Sequence, residues 1–337
     1  MVFWRSKKTK SRLTLHLGIH RTGTTGLQRN LAANRTQLAA LGKCYPFADE
    51  NHQSIAWAIH RGRMSGHELR RKLAAYNKFE HIILSAEDFC IHRKLDWIDV
   101  LKEDYDVEAV VYLRRQDHWL MSWYNQHVKW PFSRRHSTMT PAEFLACLDE
   151  FYWLDFSAML GLWDEAVGGD RLRIRLLEKG QVEDTTADFL SLEGIPSTGW
   201  KQNDATQNDS LPVEMLEFAR RSGMMDLKPG QRIQVIKYLQ SVAAGFHQKG
   251  KTLYTARERQ DVLDHFDASN RSAARRWLGR DRLFSEAPPD DRGLYVEGTL
   301  AANASFDALF DHTIAYLTEK TGQKRDTAAS NTDNRQE

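Results

Sequence analysis

The feature that most limits what this chain can become is the run from Leu13 to Gln28, LTLHLGIHRTGTTGLQ. Leu13, Leu15 and Leu17 alternate with Thr14 and His16, the period of a short strand. Gly18 breaks the alternation, Arg21-Thr22-Gly23-Thr24-Thr25 follows, and Leu27, Leu31 and Leu38 then recur at helical spacing. A strand, a glycine-bearing turn and a helix start together make a cradle for an anion. Glycine lets the backbone come close, and the open N–H groups and the helix dipole face a negative ligand.

Gly18 and Gly23 have the G-x-x-x-x-G spacing of nucleotide-hydrolase phosphate loops, but Thr24 follows where those loops carry Lys. The cation stands instead at Arg21, two residues before the second glycine. Such a loop suits a phosphate rather than a magnesium-bound triphosphate. It resembles the loop of the sulfotransferases that use 3′-phosphoadenosine 5′-phosphosulfate, Lys-Thr/Ser-Gly-Thr-Thr, with Arg21 in place of the Lys. The resemblance implies that Arg21, Thr22, Gly23, Thr24 and Thr25 hold the 5′-phosphosulfate and that Arg21 serves in catalysis. Arginine keeps the charge of the family's Lys but is a planar fork that cannot give up a proton.

A second motif agrees with the first. The run Val107 to Leu113 reads as a strand, Arg114 ends it, and Ser122 lies eight residues on in the next helix. The same family binds its donor's 3′-phosphate with a strand-end Arg and a Ser at that spacing, which implies these roles for Arg114 and Ser122. A guanidinium can grip a phosphate with two parallel hydrogen bonds while a hydroxyl donates from the other side. The resemblance spans Leu13 to Ile195, where Asp155 to Ile195 also looks like bacterial members of the family.

Sulfuryl transfer needs a base for the acceptor's proton, and ligands of parallel α/β sheets gather at the carboxyl ends of strands. Glu87, in LSAED after a buried run His81 to Ser85, is the first candidate. His52, in the loop after a short second strand, is the next; Glu50 beside it and His20 inside the loop complete the set. Trp119, Trp123, Tyr124 and Trp130 share the helix of Ser122, and their helical spacing favours core packing over ligand stacking. Arg134-Arg135-His136, and Arg275 and Arg276 with Gly279-Arg280, could attract an anion; a solvated helix face is the plainer reading.

Strands near 13–17, 43–46, 81–85, 107–113 and 172–176 alternate with helices, the pattern of an α/β fold with a parallel sheet of about five strands covered on both faces. The resemblance implies that this sheet has the P-loop NTPase-like arrangement. The remainder to about residue 320 reads as loops and helices, LPVEMLEFARR, RIQVIKYLQSVAAGF and SAARRWLG. The expected organisation is a basic tail (1–12), one domain (13–320, with an α/β core to 195 and a helical portion from 196), and a polar, disordered tail (321–337). The net charge of +2 argues against a nucleic-acid partner. Three widely spaced cysteines supply no metal or disulfide framework. No apolar run long enough for a signal peptide or a membrane span occurs, so a cytoplasmic protein without stable membrane insertion is expected.

The expected function is thus transfer of a sulfuryl group from 3′-phosphoadenosine 5′-phosphosulfate to a hydroxyl or amine, a carbohydrate being one acceptor among the options, without a metal. Two alternatives stand beside it. One is a P-loop phosphotransferase using ATP; the other is a catalytically silent nucleotide- or glycan-binding protein. The acceptor and the oligomeric state are not legible in the sequence.

Overall fold

A computed structural model describes residues 10–130, 133–200, 210–242, 252–290 and 314–315. Most of the expected basic tail and all of the tail from 321 lie outside them. Strand β1 (Ser11–His16) leads through the glycine loop to α1 (Thr24–Ala33) and α2 (Arg35–Ala40), then to β2 (Lys43–Cys44), α3 (Gln53–His60) and α4 (Gly66–Leu73). After β3 (His81–Ser85) come a 3-10 segment, Glu87–Ile91, and α5 (Asp96–Lys102); β4 (Tyr105–Leu113) then runs into α6 (Gln116–Lys129). The short helices α7 (Arg134–Thr138) and α8 (Pro141–Leu145) precede α9 (Phe156–Val167), β5 (Leu172–Leu176) and α10 (Thr185–Leu192). Helices α11 (Val213–Met224), α12 (Pro229–Val242), α13 (Ala256–His265) and α14 (Asp267–Leu278) complete the series.

The strands form one all-parallel sheet in the order β2-β3-β1-β4-β5. The connection from β1 goes toward β2, whereas that from β4 goes toward β5 on the other side. The loops after β1 and β4 therefore part over the sheet's carboxyl edge, the crevice in which open α/β sheets bind ligands. On one face Leu27 and Leu31 of α1 and Phe189 and Leu190 of α10 close over Ile83, Val110 and Tyr112. Helices α5 and α9 pack against β4.

Both faces being covered, Thr14 and His16 of β1 are as buried as its leucines. Thr14 donates to Glu108 (2.7 Å) and so accepts from the His81 ring (2.8 Å), while His16 pairs with the Ser85 hydroxyl (2.7 Å). His16 also meets the rings of Tyr112 (5.6 Å) and Phe189 (5.5 Å), so these polar side chains sit within the apolar layer that α1 and α10 close over.

Two compact units share the chain. The first comprises Met1–Trp119, Phe151–Thr206 and Leu263–Ala287; the second comprises Leu120–Glu150, Gln207–Val262 and Pro288–Glu337. In the first unit α14 lies on α9: the Ser157 amide donates to Ser269 Oγ (3.0 Å) and Arg276 pairs with Asp164 (2.9 Å).

Several local expectations are corrected. Arg12 is no solvated tail residue but part of β1, where it pairs with Glu108 (2.7 Å) and with buried Glu193. The first helix breaks at Asn34 into α1 and α2. In the first turn of α6, Asp117 has its two oxygens held by Arg115 at 2.8 and 2.9 Å. Helix α5 was not anticipated, although Trp97, Ile98 and Leu101 supply its buried stripe.

Candidate active site

The loop after β1 is shaped by three left-handed residues: Gly18 (φ +85°), Arg21 (φ +66°) and Gly23 (φ +82°). Two are glycines, for which this region carries no penalty. Arg21 has no such freedom, and a residue held there by its surroundings points to a functional demand on its side chain or amide. Thr22 folds inward and its hydroxyl donates to the Ile19 carbonyl (2.7 Å). Its own carbonyl accepts from the hydroxyl of Thr185, the first residue of α10, at 2.5 Å. Gly23 caps α1 with no side chain on the open amides, and no acidic residue sits in the first turn. The positive end of that helix is left for a ligand. Thr25 is half-buried on the same turn.

Glu87 comes directly against this loop. A Cβ on Gly18 would sit 3.0 Å from the Glu87 Cα, so glycine is required there by space as well as by φ. The Thr24 hydroxyl donates to the Glu87 carboxylate. Burial lowers the pKa of Arg21 while the charge of Glu87 opposes that, so the two are electrostatic neighbours. The leading candidate base, the loop cation and a loop hydroxyl thus share one place.

Arg114 reaches the same place from the end of β4. Its Nη1 donates to the Arg21 carbonyl at 3.0 Å. Burial and then the Arg21 charge push its pKa down to about 10, with Asp117 and Glu286 opposing. Two guanidiniums held together in a partly dry crevice repel each other; an anion between them would relieve that repulsion. Ser122 lies half-buried on α6, beyond the point where the chain passes into the second unit. Its pairing with Arg114 on a phosphate therefore rests on sequence spacing.

The remaining candidate bases receive different roles. His52 is 1% exposed and both its ring nitrogens are engaged. Nδ1 accepts from the Ser85 amide (2.9 Å) and Nε2 donates to the Pro46 carbonyl (2.9 Å). Burial lowers its pKa to about 4. That ring is a neutral brace between the second-strand loop and the end of β3, with no lone pair left for an acceptor's proton. Glu50 has a largely exposed side chain and lies 3.6 Å from Arg29.

His20 is a clamp. Its Nε2 lies 3.2 Å from Asp88 Oδ1, its Nδ1 3.8 Å from Cys90 Sγ, and its carbonyl accepts from Trp119 Nε1 at 3.0 Å. Burial works against its charge, but the Asp88 hydrogen bond raises its pKa well above the ordinary value. Asp88 responds in kind, its carboxyl lowered by His20 despite burial. The pair joins the residue before Arg21 to the residue after Glu87. Asp88, Cys90 and Thr185 were missed in the sequence. For Asp88 the signal was its place beside Glu87; for Thr185 there was none.

The other basic and aromatic candidates are occupied elsewhere. Trp119 and Tyr124 are almost wholly buried and Trp123 is 8% exposed, so these three pack as core. Arg135 pairs with Glu150 (2.6 Å), Arg275 with Asp281 (3.1 Å), and Arg280 donates to the Leu283 carbonyl. Among the described residues one group, His81, Glu108 and Glu193, has ligand atoms within 4.8 Å of one another. Arg12 and Arg173 already neutralise its carboxylates, which makes it an ion-pair cluster and not a cation site.

No helix among the described residues is long and apolar enough to cross a membrane. No protein-family model matches the chain, and no solved structure matches it. A stretch of 180 residues is 28% identical to an uncharacterized protein of Archaeoglobus fulgidus. The match covers 52% of this chain and 47% of that protein, so the chain spans about half the length of this relative.

Proposed function

We propose that the protein is a cytoplasmic sulfotransferase that moves a sulfuryl group from 3′-phosphoadenosine 5′-phosphosulfate to a hydroxyl or amine. The observation that carries this reading is the meeting of Arg21 and Arg114 in the crevice between the loops after β1 and β4. The residues present suit a donor with two phosphate positions. The glycine loop and the open end of α1 face one anionic group, and Arg114 supplies a second cation. Three buried free cysteines are in keeping with a reducing compartment.

In this reading Glu87 takes the proton of the acceptor as its oxygen or nitrogen bonds to sulfur. The bond from sulfur to the 5′-phosphate oxygen breaks, and that oxygen keeps the electron pair. Arg21 and the loop amides meet the charge that develops there, the kind of preorganised stabilisation that contributes most when water is excluded. The Thr24 hydrogen bond holds the Glu87 carboxylate toward the loop.

Calorimetric titration with adenosine 3′,5′-bisphosphate and with AMP tests the reading. The bisphosphate should bind far more tightly, and Arg114→Ala should weaken it by roughly 10- to 150-fold, from about 1.5–3 kcal/mol for a charge-assisted contact. AMP binding should scarcely change. Equal affinity for the two nucleotides in the unaltered protein would refute the assignment.

A further inference from the structure

A cleft of about 940 Å³ opens in the first unit between the end of α3, the start of α4, and the chain around Ile91–Trp97 and Tyr152–Trp153. Nothing in the transfer reaction as described uses it. Its position ties it to the site. Ile91 ends the 3-10 segment that begins at Glu87, four steps of about 2 Å each. Trp153, on the cleft wall, has its ring centre 5.5 Å from that of His20, which precedes Arg21.

The lining has a definite chemistry. Rings line the walls: exposed His60 and half-buried Tyr152 and Trp153 border the cleft, Arg93 covers Tyr152 at 4.0 Å, and buried His92 and Trp97 pack behind, His92 lying 5.6 Å from His60 and 5.8 Å from Trp97. The rim mixes donors and acceptors. Arg93 and Lys94 can only donate; Asp96 and Glu68 can only accept when ionised. Two cations and two carboxylates leave the rim without a net preference for charge. Ring faces between mixed donors and acceptors match a ligand whose groups both donate and accept, which is what hydroxyls do. The volume lies at the upper end for a small-ligand pocket, room for roughly two or three rings.

We infer that this cleft binds an uncharged oligosaccharide. Naming that sugar as the acceptor rests on the transferase reading; its binding does not. The sugar's hydroxyls meet Lys94 and Asp96 at the rim, and its ring faces lie along His60 and Trp153.

Maltotriose, cellotriose and triacetylchitotriose, titrated separately and followed by saturation-transfer NMR, supply the test, with a hyaluronan disaccharide as the acidic comparison. At least one neutral trisaccharide should bind with an affinity unchanged between low and high salt, since screening weakens only charge-driven contacts. Lys94→Ala and Asp96→Asn, both at exposed positions, should each weaken it about 5- to 10-fold, the size of one hydrogen bond. The inference is overturned if no neutral sugar binds, if binding ignores both substitutions, or if the acidic sugar binds more tightly in a salt-sensitive way. A bisphosphate titration on the same samples separates the two readings. Sugar binding without bisphosphate preference keeps the cleft and removes the transferase; bisphosphate preference without sugar binding does the reverse.

Discussion

Four buried imidazoles should make this fold sensitive to mild acid. Burial holds His16 at about 3, His52 and His92 at about 4; for His81, burial and then the charges of Arg12, Lys43 and Arg173 give about 2. Glu193 lies 3.5 Å from His81 and would favour its charge, but the three cations and the dry surroundings outweigh it. In the unfolded chain all four titrate near 6.5. As pH falls below that value the unfolded state takes up protons that the fold refuses. The stability these groups confer is complete above about pH 6.5 and drains away below it. Each contributes about 1.4 kcal/mol per pH unit, so together they remove roughly 5 kcal/mol by pH 5.5. A typical domain has about 5–15 kcal/mol in all. Urea unfolding followed by tryptophan fluorescence at several pH values should therefore show a steep loss between about pH 6.5 and 5.5. His92→Gln keeps a donor for the Ala56 carbonyl and should reduce the slope by about a quarter. A wild-type slope below about 1.4 kcal/mol per pH unit, less than one proton, would refute the argument. His20 acts in the opposite sense. Its raised pKa confers stability that is present below about 6.5 and lost as pH rises through its folded value, so maximal stability falls near neutrality.

The site supplies further tests. Arg21→Ala should lower kcat by roughly 10²-fold, the loss of one preorganised charge stabiliser, while Arg21→Lys keeps much of the rate; wild-type turnover in the alanine variant would remove the loop from the chemistry. Glu87→Gln should cost about 10²–10⁴-fold in rate with bisphosphate affinity nearly unchanged, and normal turnover would show that the base lies elsewhere. Gly18→Ala places a methyl against the Glu87 backbone at a positive φ and should destabilise the fold by about 1–3 kcal/mol, measured by thermal melting; an unchanged melt would show that the loop yields.

The alternation of Leu13, Leu15 and Leu17, the run HIILS at His81–Ser85 and the run ending at Leu113 placed three adjacent strands within two residues of their observed limits. Gly18, Arg21, Gly23 and Arg114 were visible for the same reason: periodicity and turn chemistry are local, carried by neighbours along the chain. The distant contacts were not visible. Glu87 meets Thr24 across 63 residues and Arg114 meets Arg21 across 93, because β1 lies between β3 and β4 and brings their ends to one edge. Nor could the sequence tell His52 from Glu87 as a base. That depends on whether a ring nitrogen is left over once the Ser85 amide and the Pro46 carbonyl have been satisfied. Arg12 read as a tail residue because its partners, Glu108 and Glu193, lie far along the chain. Local pattern along the chain fixed the elements and the glycine loop after β1; the order of the strands decided which side chains stand around that loop, since strand order sets which distant residues become neighbours.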